Sequence, residues 1–305
     1  MDIGNIHFDS NIFLAPMAGV TDVSFRKLCK FFGAGLTSTE MISVKGLFYD
    51  SKKTKEMLTT FEGESPKCVQ LFGHEPKIFE AVIKSGAIDN FDILDINMGC
   101  PAPKIVKNGE GSALLKDFKL AEEIISTCVK AWGKPVSVKF RKGYGAHDDV
   151  AKEFAKMCER AGASFITYHP RTKEQAYSGQ VDFDDLKAVV QAVNIPVIAS
   201  GDIVDKETFN KAIATGVKGV MIGRKAVGCP EIFSLLLGKD VKMNKEEIAR
   251  LHLKILREYY GEKDITNIFK RHALSYTLGE SGGVEKRKRI AVAKNIKEIE
   301  EVLFS

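Results

Sequence analysis

The sequence predicts an α/β chain in which a (β/α)₈ TIM barrel is followed by an all-helical domain. Three observations carry this. Short apolar runs alternate with amphipathic stretches eight times before about residue 238. Beyond about residue 240 the runs stop, and only helical periodicity continues. The Gly-rich G-x-G-x-x-G turn that would open a doubly wound sheet after the first run is missing.

In order, the runs are "IFLAPMAG", "LTSTEM", "KCVQLFG", "ILDINMGC", "VSVKFRKG", "FITYHPRT", "VIASGD" and "GVMIGR". Between them, stretches such as "DFKLAEEIISTCVKAW", "DDVAKEFAKMCERAGA", "FDDLKAVVQAV" and "KETFNKAIATG" place apolar residues at i, i+3 and i+4, often with a glycine near the end. After the linker "LLLGKDVKMN" come "KEEIARLHLKILREYYG", "TNIFKRHALSYTLG", "VEKRKRIAVAKN" and "IKEIEEVLF", all helical in pattern. The expected division is a barrel over residues 1–240 and a helical domain over 241–305.

Composition narrows the function class. Apolar content of 44% and charged content of 28% are ordinary for a globular enzyme and exclude disordered or fibrous classes. No run approaches the ~18 apolar residues of a membrane span, and "MDIGNIHFDSN" has neither part of a signal peptide. A cytoplasmic monomer without a membrane partner is expected. The six cysteines never form C-x-x-C, which argues against a metal site and a disulfide framework. Net charge is +5, and residues 241–305 hold 14 Lys+Arg against 10 Asp+Glu, so a polyanionic partner would be sought there.

In such a barrel the site lies at the C-terminal ends of the strands. Those ends carry Pro16-Met17-Ala18-Gly19, Gln70, Asn97 with Cys100, Lys139 with Arg141, His169 with Arg171, Ser200-Gly201-Asp202, and Gly223-Arg224. Singly, each has a plain structural reading: His169 as a core histidine, Gln70 and Asn97 as strand caps, Arg141 as the partner of a carboxylate. Their convergence on one rim favours a sizeable ligand. Gly201 and Gly223 allow close backbone approach to an anion and Arg224 adds a charged fork, at the two loops where this fold binds phosphate. A phosphorylated cofactor follows. Cys100 stands where the apolar "FDILDI" gives way to a loop, a position open to chemistry.

The motifs "LAPMAGVTD", "VQLFG", "DINMGCPAPKIVKNGEGSALL", "VKFRKG", "YHPRTKEQAYSG", "SGDI" and "VMIGRKAVGCPEIF" span the barrel in order. In them the sequence resembles the dihydrouridine synthase family, nearest its bacterial B-type members. The resemblance implies FMN as cofactor, NADPH as reductant, and reduction of the uridine C5=C6 bond in tRNA. It makes Cys100 the general acid; a thiol with a reference pKa of about 8.5 is mostly protonated at neutral pH. It implies cofactor contacts at Pro16, Met17, Ala18, Gln70, Lys139, His169, Ser200, Gly201, Asp202, Gly223 and Arg224, Met17 through its backbone. Lys139 would stabilise charge on the reduced ring. Asn97, Arg141 and Arg171 would face the substrate.

Two departures bear on this. Ser200 stands where the family usually has asparagine. Pro170 replaces a common glycine and removes one N–H donor.

RNA binding needs distributed positive charge. Lys270, Arg271, Lys286 and Arg287 are the expected tail contacts, with Lys270 or Arg271 one face away from Ile268, Leu274 and Leu278. Lys104, Lys107, Arg171 and Lys173 add charge near the barrel mouth. The target uridine must be flipped or unpaired to reach a buried cofactor. Ribosomal RNA, or a small pyrimidine or enone, is the alternative substrate.

Overall fold

The eight apolar runs form the strands of a closed parallel barrel. A computed structural model describes residues 1–262 and 265–305. The chain opens with a short antiparallel pair, β1 (Asp2–Ile3) and β2 (Ile6–His7). The barrel follows as β3 (Ile12–Leu14), β4 (Leu36–Ser43), β5 (Lys67–Phe72), β6 (Ile93–Met98), β7 (Val136–Arg141), β8 (Phe165–His169), β9 (Val197–Ser200) and β10 (Gly219–Ile222). Each strand pairs with the next, and β10 closes on β3. This is a TIM barrel with flanking helices.

The hairpin, which the sequence patterning does not reveal, closes the N-terminal end. Ile3 and Phe8 pack with Phe13, Leu36, Cys68, Ile93, Phe165, Ile198 and Met221 in a separate interior cluster. The Phe8 and Phe13 rings lie 5.0 Å apart. Side chains alternate across each strand, so positions two apart share the interior. The sequences Ile93–Asp95–Asn97, Ser137–Lys139–Arg141 and Phe165–Thr167–His169 thus run toward the C-terminal end of the barrel, where polar groups collect. A sealed floor leaves that end as the way in.

The outer helices form where the periodicity places them, and several are capped. Asp22 accepts from Ser24 N at 2.8 Å at the start of the helix Val23–Phe31. Asp117 caps Phe118–Trp132, which ends on left-handed Gly133. Asp205 with Thr208, and Asn244 with Glu247, form capping boxes.

The tail consists of helices Lys245–Tyr260, Ile265–Tyr276, Gly283–Val292 and Ile296–Leu303. The first packs on the barrel helix Val23–Phe31. Leu253, Leu256, Phe269 and Ile299 belong to the same apolar cluster as Phe25 and Leu28. The buried face of Ile265–Tyr276 is Ile265, Phe269, His272, Ala273 and Tyr276. This corrects the expected face, because Leu278 is 54% exposed. No helix among the described residues is long and apolar enough to cross a membrane.

Candidate active site

At the C-terminal end of the barrel a cleft of about 970 Å³ opens, within the range that holds small-molecule cofactors. Pro16, Met17, Ala18, Asn97, Cys100, Lys139, Arg141, His169, Ser200, Gly201, Asp202, Gly223 and Arg224 all line it. Residues from most of the barrel strands, far apart in sequence, converge here.

Cys100 sits half-buried in the wall on a loop held from several directions. Asn97 Oδ1 accepts the N–H groups of Gly99 at 3.2 Å and Cys100 at 2.9 Å. Asn97 Nδ2 donates to Gln70 Oε1 at 2.8 Å, and Gln70 Nε2 donates to Asp95 Oδ2 at 2.6 Å. Ser137 Oγ donates to the other Asp95 oxygen at 2.6 Å. Each buried group is thereby satisfied and has one orientation. Gln70 lies in the layer beneath the cleft rather than on its wall.

On the other side, Ser112 N donates to the Cys100 carbonyl at 3.0 Å. A Cβ at Gly111 would lie 2.8 Å from that oxygen, and its φ is +60°, so this position requires glycine. Arg141 Nε donates to Gly99 O at 2.9 Å, and its Nη1 reaches Thr172 O and Ala176 O. It ties the cysteine loop to the loop after β8.

Burial sets the charge states. It pushes the Cys100 thiol up, against the weaker pull of the Ala102 N–H, Arg141 and Lys139, so the sulfur keeps its proton. Burial, then the neighbouring Arg141 charge, lowers Lys139 to about 8. His169 is driven well below its ordinary value, first by burial and then by Lys139, Arg141, Arg171 and Arg224. It is a neutral imidazole, and its buried Nε2 has no hydrogen-bond partner among the described residues. Asp95 is raised, chiefly by burial.

Gly201, Arg171, Asp202 and Arg224 meet at the loops after β8, β9 and β10. Gly201 has φ +114°, and a Cβ there would fall 2.7 Å from His169 Cδ2. The Asp202 carboxylate bridges Arg171, at 3.0 Å from Nη1, and Arg224, at 3.4 Å from Nη2. The exposed Tyr177 ring stacks on the Arg224 guanidinium at 4.2 Å. Lysine ammonium groups, Lys116 at 4.3 Å and Lys173 at 4.7 Å, sit over the Tyr144 ring nearby.

Several expected residues take other places. Arg171 is buried behind the wall, its guanidinium committed to Asp202 and to the Ser178 and Gly179 carbonyls. Met17 spends its backbone on the turn that follows it, its N–H on Thr21 Oγ1 and its carbonyl on the Val20 and Thr21 N–H groups. Lys270 Nζ donates to Ala293 O at 2.6 Å, and Arg271 Nη1 to Gly19 O at 2.8 Å. Lys286 pairs with Glu280 at 3.7 Å, and Arg287 Nη1 donates to Thr277 O at 3.2 Å. These four tail cations hold the tail together or to the barrel.

Asp95 and Tyr177 are not among the site residues that the sequence points to. A lone carboxylate in the apolar "ILDINM" was the available signal for Asp95.

The dihydrouridine synthase (Dus) family model matches residues 13–303. A probable tRNA-dihydrouridine synthase of Rickettsia bellii is 39% identical over 299 residues, covering 93% of this chain and 91% of that protein. The tRNA-dihydrouridine synthase B of Pseudomonas putida is 37% identical over 298 residues, covering 94% and 88%. Among solved structures, morphinone reductase is similar with a TM-score of 0.58 at 12% identity, over 80% of this chain and 90% of its own, a likeness of fold alone. With the family model matched along nearly the whole chain and relatives this similar over the same span, the chain belongs to the dihydrouridine synthase family.

Proposed function

We propose that this chain is an FMN-dependent enzyme that reduces the C5=C6 bond of uridine in tRNA to 5,6-dihydrouridine, with NADPH as reductant and Cys100 as general acid. The names of the relatives support the substrate. One observation carries the chemistry: a thiol that burial keeps protonated is fixed in the wall of a cofactor-sized cleft.

The residues present fit the flavin. His169 Nε2 is a buried polar atom with no partner, the Gly201 cradle would be filled by any Cβ, and Lys139 has no hydrogen-bond partner among the described residues. Gly201, Asp202, Gly223 and Arg224 would hold the phosphate end. Lys139 would stabilise negative charge at the pyrimidine edge of the ring. When bound, FMN reduced by NADPH supplies the hydride that adds at uracil C6.

The protein's own part is positioning and proton supply. Hydride addition at C6 leaves enolate character at C5, and Cys100 Sγ–H holds the proton that C5 takes up. The Asp95–Gln70–Asn97 relay keeps that sulfur at one place and so lowers the entropy cost of the encounter. The closed floor means that the uridine enters from the rim, extruded from its stack.

The purified protein is expected to be yellow, to release FMN on denaturation, to bleach with NADPH and to recolour on addition of unmodified tRNA. Recolouring by ribosomal RNA or a small enone, but not by tRNA, would overturn the substrate assignment and leave the cofactor in place.

A further inference from the structure

The four tail cations expected to grip RNA are engaged within the chain, which raises the question of where a nucleic acid is held. Directly after β4, two short helices, Val44–Phe48 and Lys52–Glu56, form a tight hairpin. Ser43 caps the first helix and Ser51 the second. A Cβ on Gly46 would lie 2.6 Å from Thr54 Oγ1, so the two helices are in close contact. Val44 and Leu47 are buried beneath them.

This ordered unit projects two aromatic rings outward. Phe48 is 48% exposed and Tyr49 72% exposed, with ring centroids 5.1 Å apart at 82°. Lys45, Lys52, Lys53 and Lys55 flank them in sequence. Lys45 pairs with Glu75 and Lys55 with Asp50, whereas Lys52 and Lys53 have no ion-pair partner among the described residues. Adjacent exposed rings among lysines suit unstacked bases and their phosphates, since every base has a π-face and every linkage a charge.

The location agrees. Met41 of β4 lines the central cleft. Lys53 lines a neighbouring groove of about 560 Å³ with Gly19, Asn267 and Arg271, and Ala18 lines both. A strand leaving the cleft across this groove would reach the second helix of the hairpin at Lys53. We propose that Phe48 and Tyr49, with Lys52 and Lys53, form a docking platform for single-stranded RNA flanking the nucleotide in the cleft. This rests on the RNA reading of the cleft and adds a contact surface to it.

The test measures binding of unmodified tRNA by the full-length protein across a salt series, for the wild type, Phe48→Ala/Tyr49→Ala and Lys52→Ala/Lys53→Ala. The aromatic variant is expected to bind about 5- to 150-fold more weakly for each stacked base lost, with its salt slope unchanged. The lysine variant is expected to lower the slope of log K against log salt by about 1.4, the share of two single-strand phosphates. Equal thermal unfolding midpoints show that both variants fold. Wild-type affinity and slope in both variants would overturn the platform alone. A wild type that binds no RNA would overturn the platform and the tRNA reading together. A wild-type dimer that the aromatic variant converts to monomer, with RNA affinity unchanged, would assign the rings to self-association instead.

Discussion

Asn97 Oδ1 accepts the Cys100 N–H at 2.9 Å, so the penultimate residue of β6 fixes the loop that follows the strand and carries Cys100. Replacing Asn97 with alanine frees that loop and leaves the Gln70 amide oxygen without a donor. A reacting atom displaced by an ångström costs about 10²-fold. The single-turnover rate of reduced Asn97→Ala with tRNA is expected to fall by about that factor. An unchanged rate would show that the loop holds itself.

Lys139, lowered to about 8, has a testable linkage. The unfolded chain binds this proton below its reference value of about 10.4, whereas the folded flavin-free protein binds it only below about 8. Stability from this group therefore rises with pH between those values and is at its lowest below 8. Lys139→Met is expected to raise the unfolding free energy of the flavin-free protein at pH 7 and to flatten its pH dependence between 8 and 10.

His252 and His272, on the first two tail helices, pack with ring centroids 4.5 Å apart and against Phe25 of the barrel helix Val23–Phe31. Burial lowers His272 to about 4 and His252 well below its ordinary value. Asp22, 4.0 Å from His272, and the charge of Arg271 pull in opposite directions. The unfolded chain takes up these protons first, so stability is lost as pH falls from about 6.5, at ~1.4 kcal/mol per pH unit for each histidine. Urea titrations between pH 7 and 4.5 should show this slope, and His252→Phe/His272→Phe should reduce it.

The Arg171–Asp202 pair is nearly buried on one side, with side chains 2% and 33% exposed. Arg171→Met leaves the carboxylate without its main partner. A loss of about 2–4 kcal/mol is expected by urea unfolding, toward the low end for buried pairs because Asp202 is partly solvated. FMN affinity should fall as well, since Asp202 holds the left-handed turn (φ +50°) beside Gly201.

The barrel was legible because eight apolar runs end in turn residues, and because polar residues recur at spacing two near the ends of the middle strands. Asp95 was not, because its role depends on register: it lies opposite Gln70 in β5 and Ser137 in β7, and no single strand contains that information. The contacts of Lys270 and Arg271 within the chain were not legible, because apolar residues occur on more than one face of Ile265–Tyr276, and only packing chooses among them. The N-terminal hairpin has strands of two residues each, too short for any period.

The central claim is that Cys100 delivers the proton that completes uridine reduction. Wild-type protein and Cys100→Ala, each reduced with NADPH, would be mixed with unmodified tRNA, and the digested RNA weighed by mass spectrometry. The account expects uridine in the wild-type sample to gain the mass of two hydrogens, and the variant, still yellow and still bleached by NADPH, to leave it unchanged. Dihydrouridine formed by Cys100→Ala at the wild-type rate would contradict it.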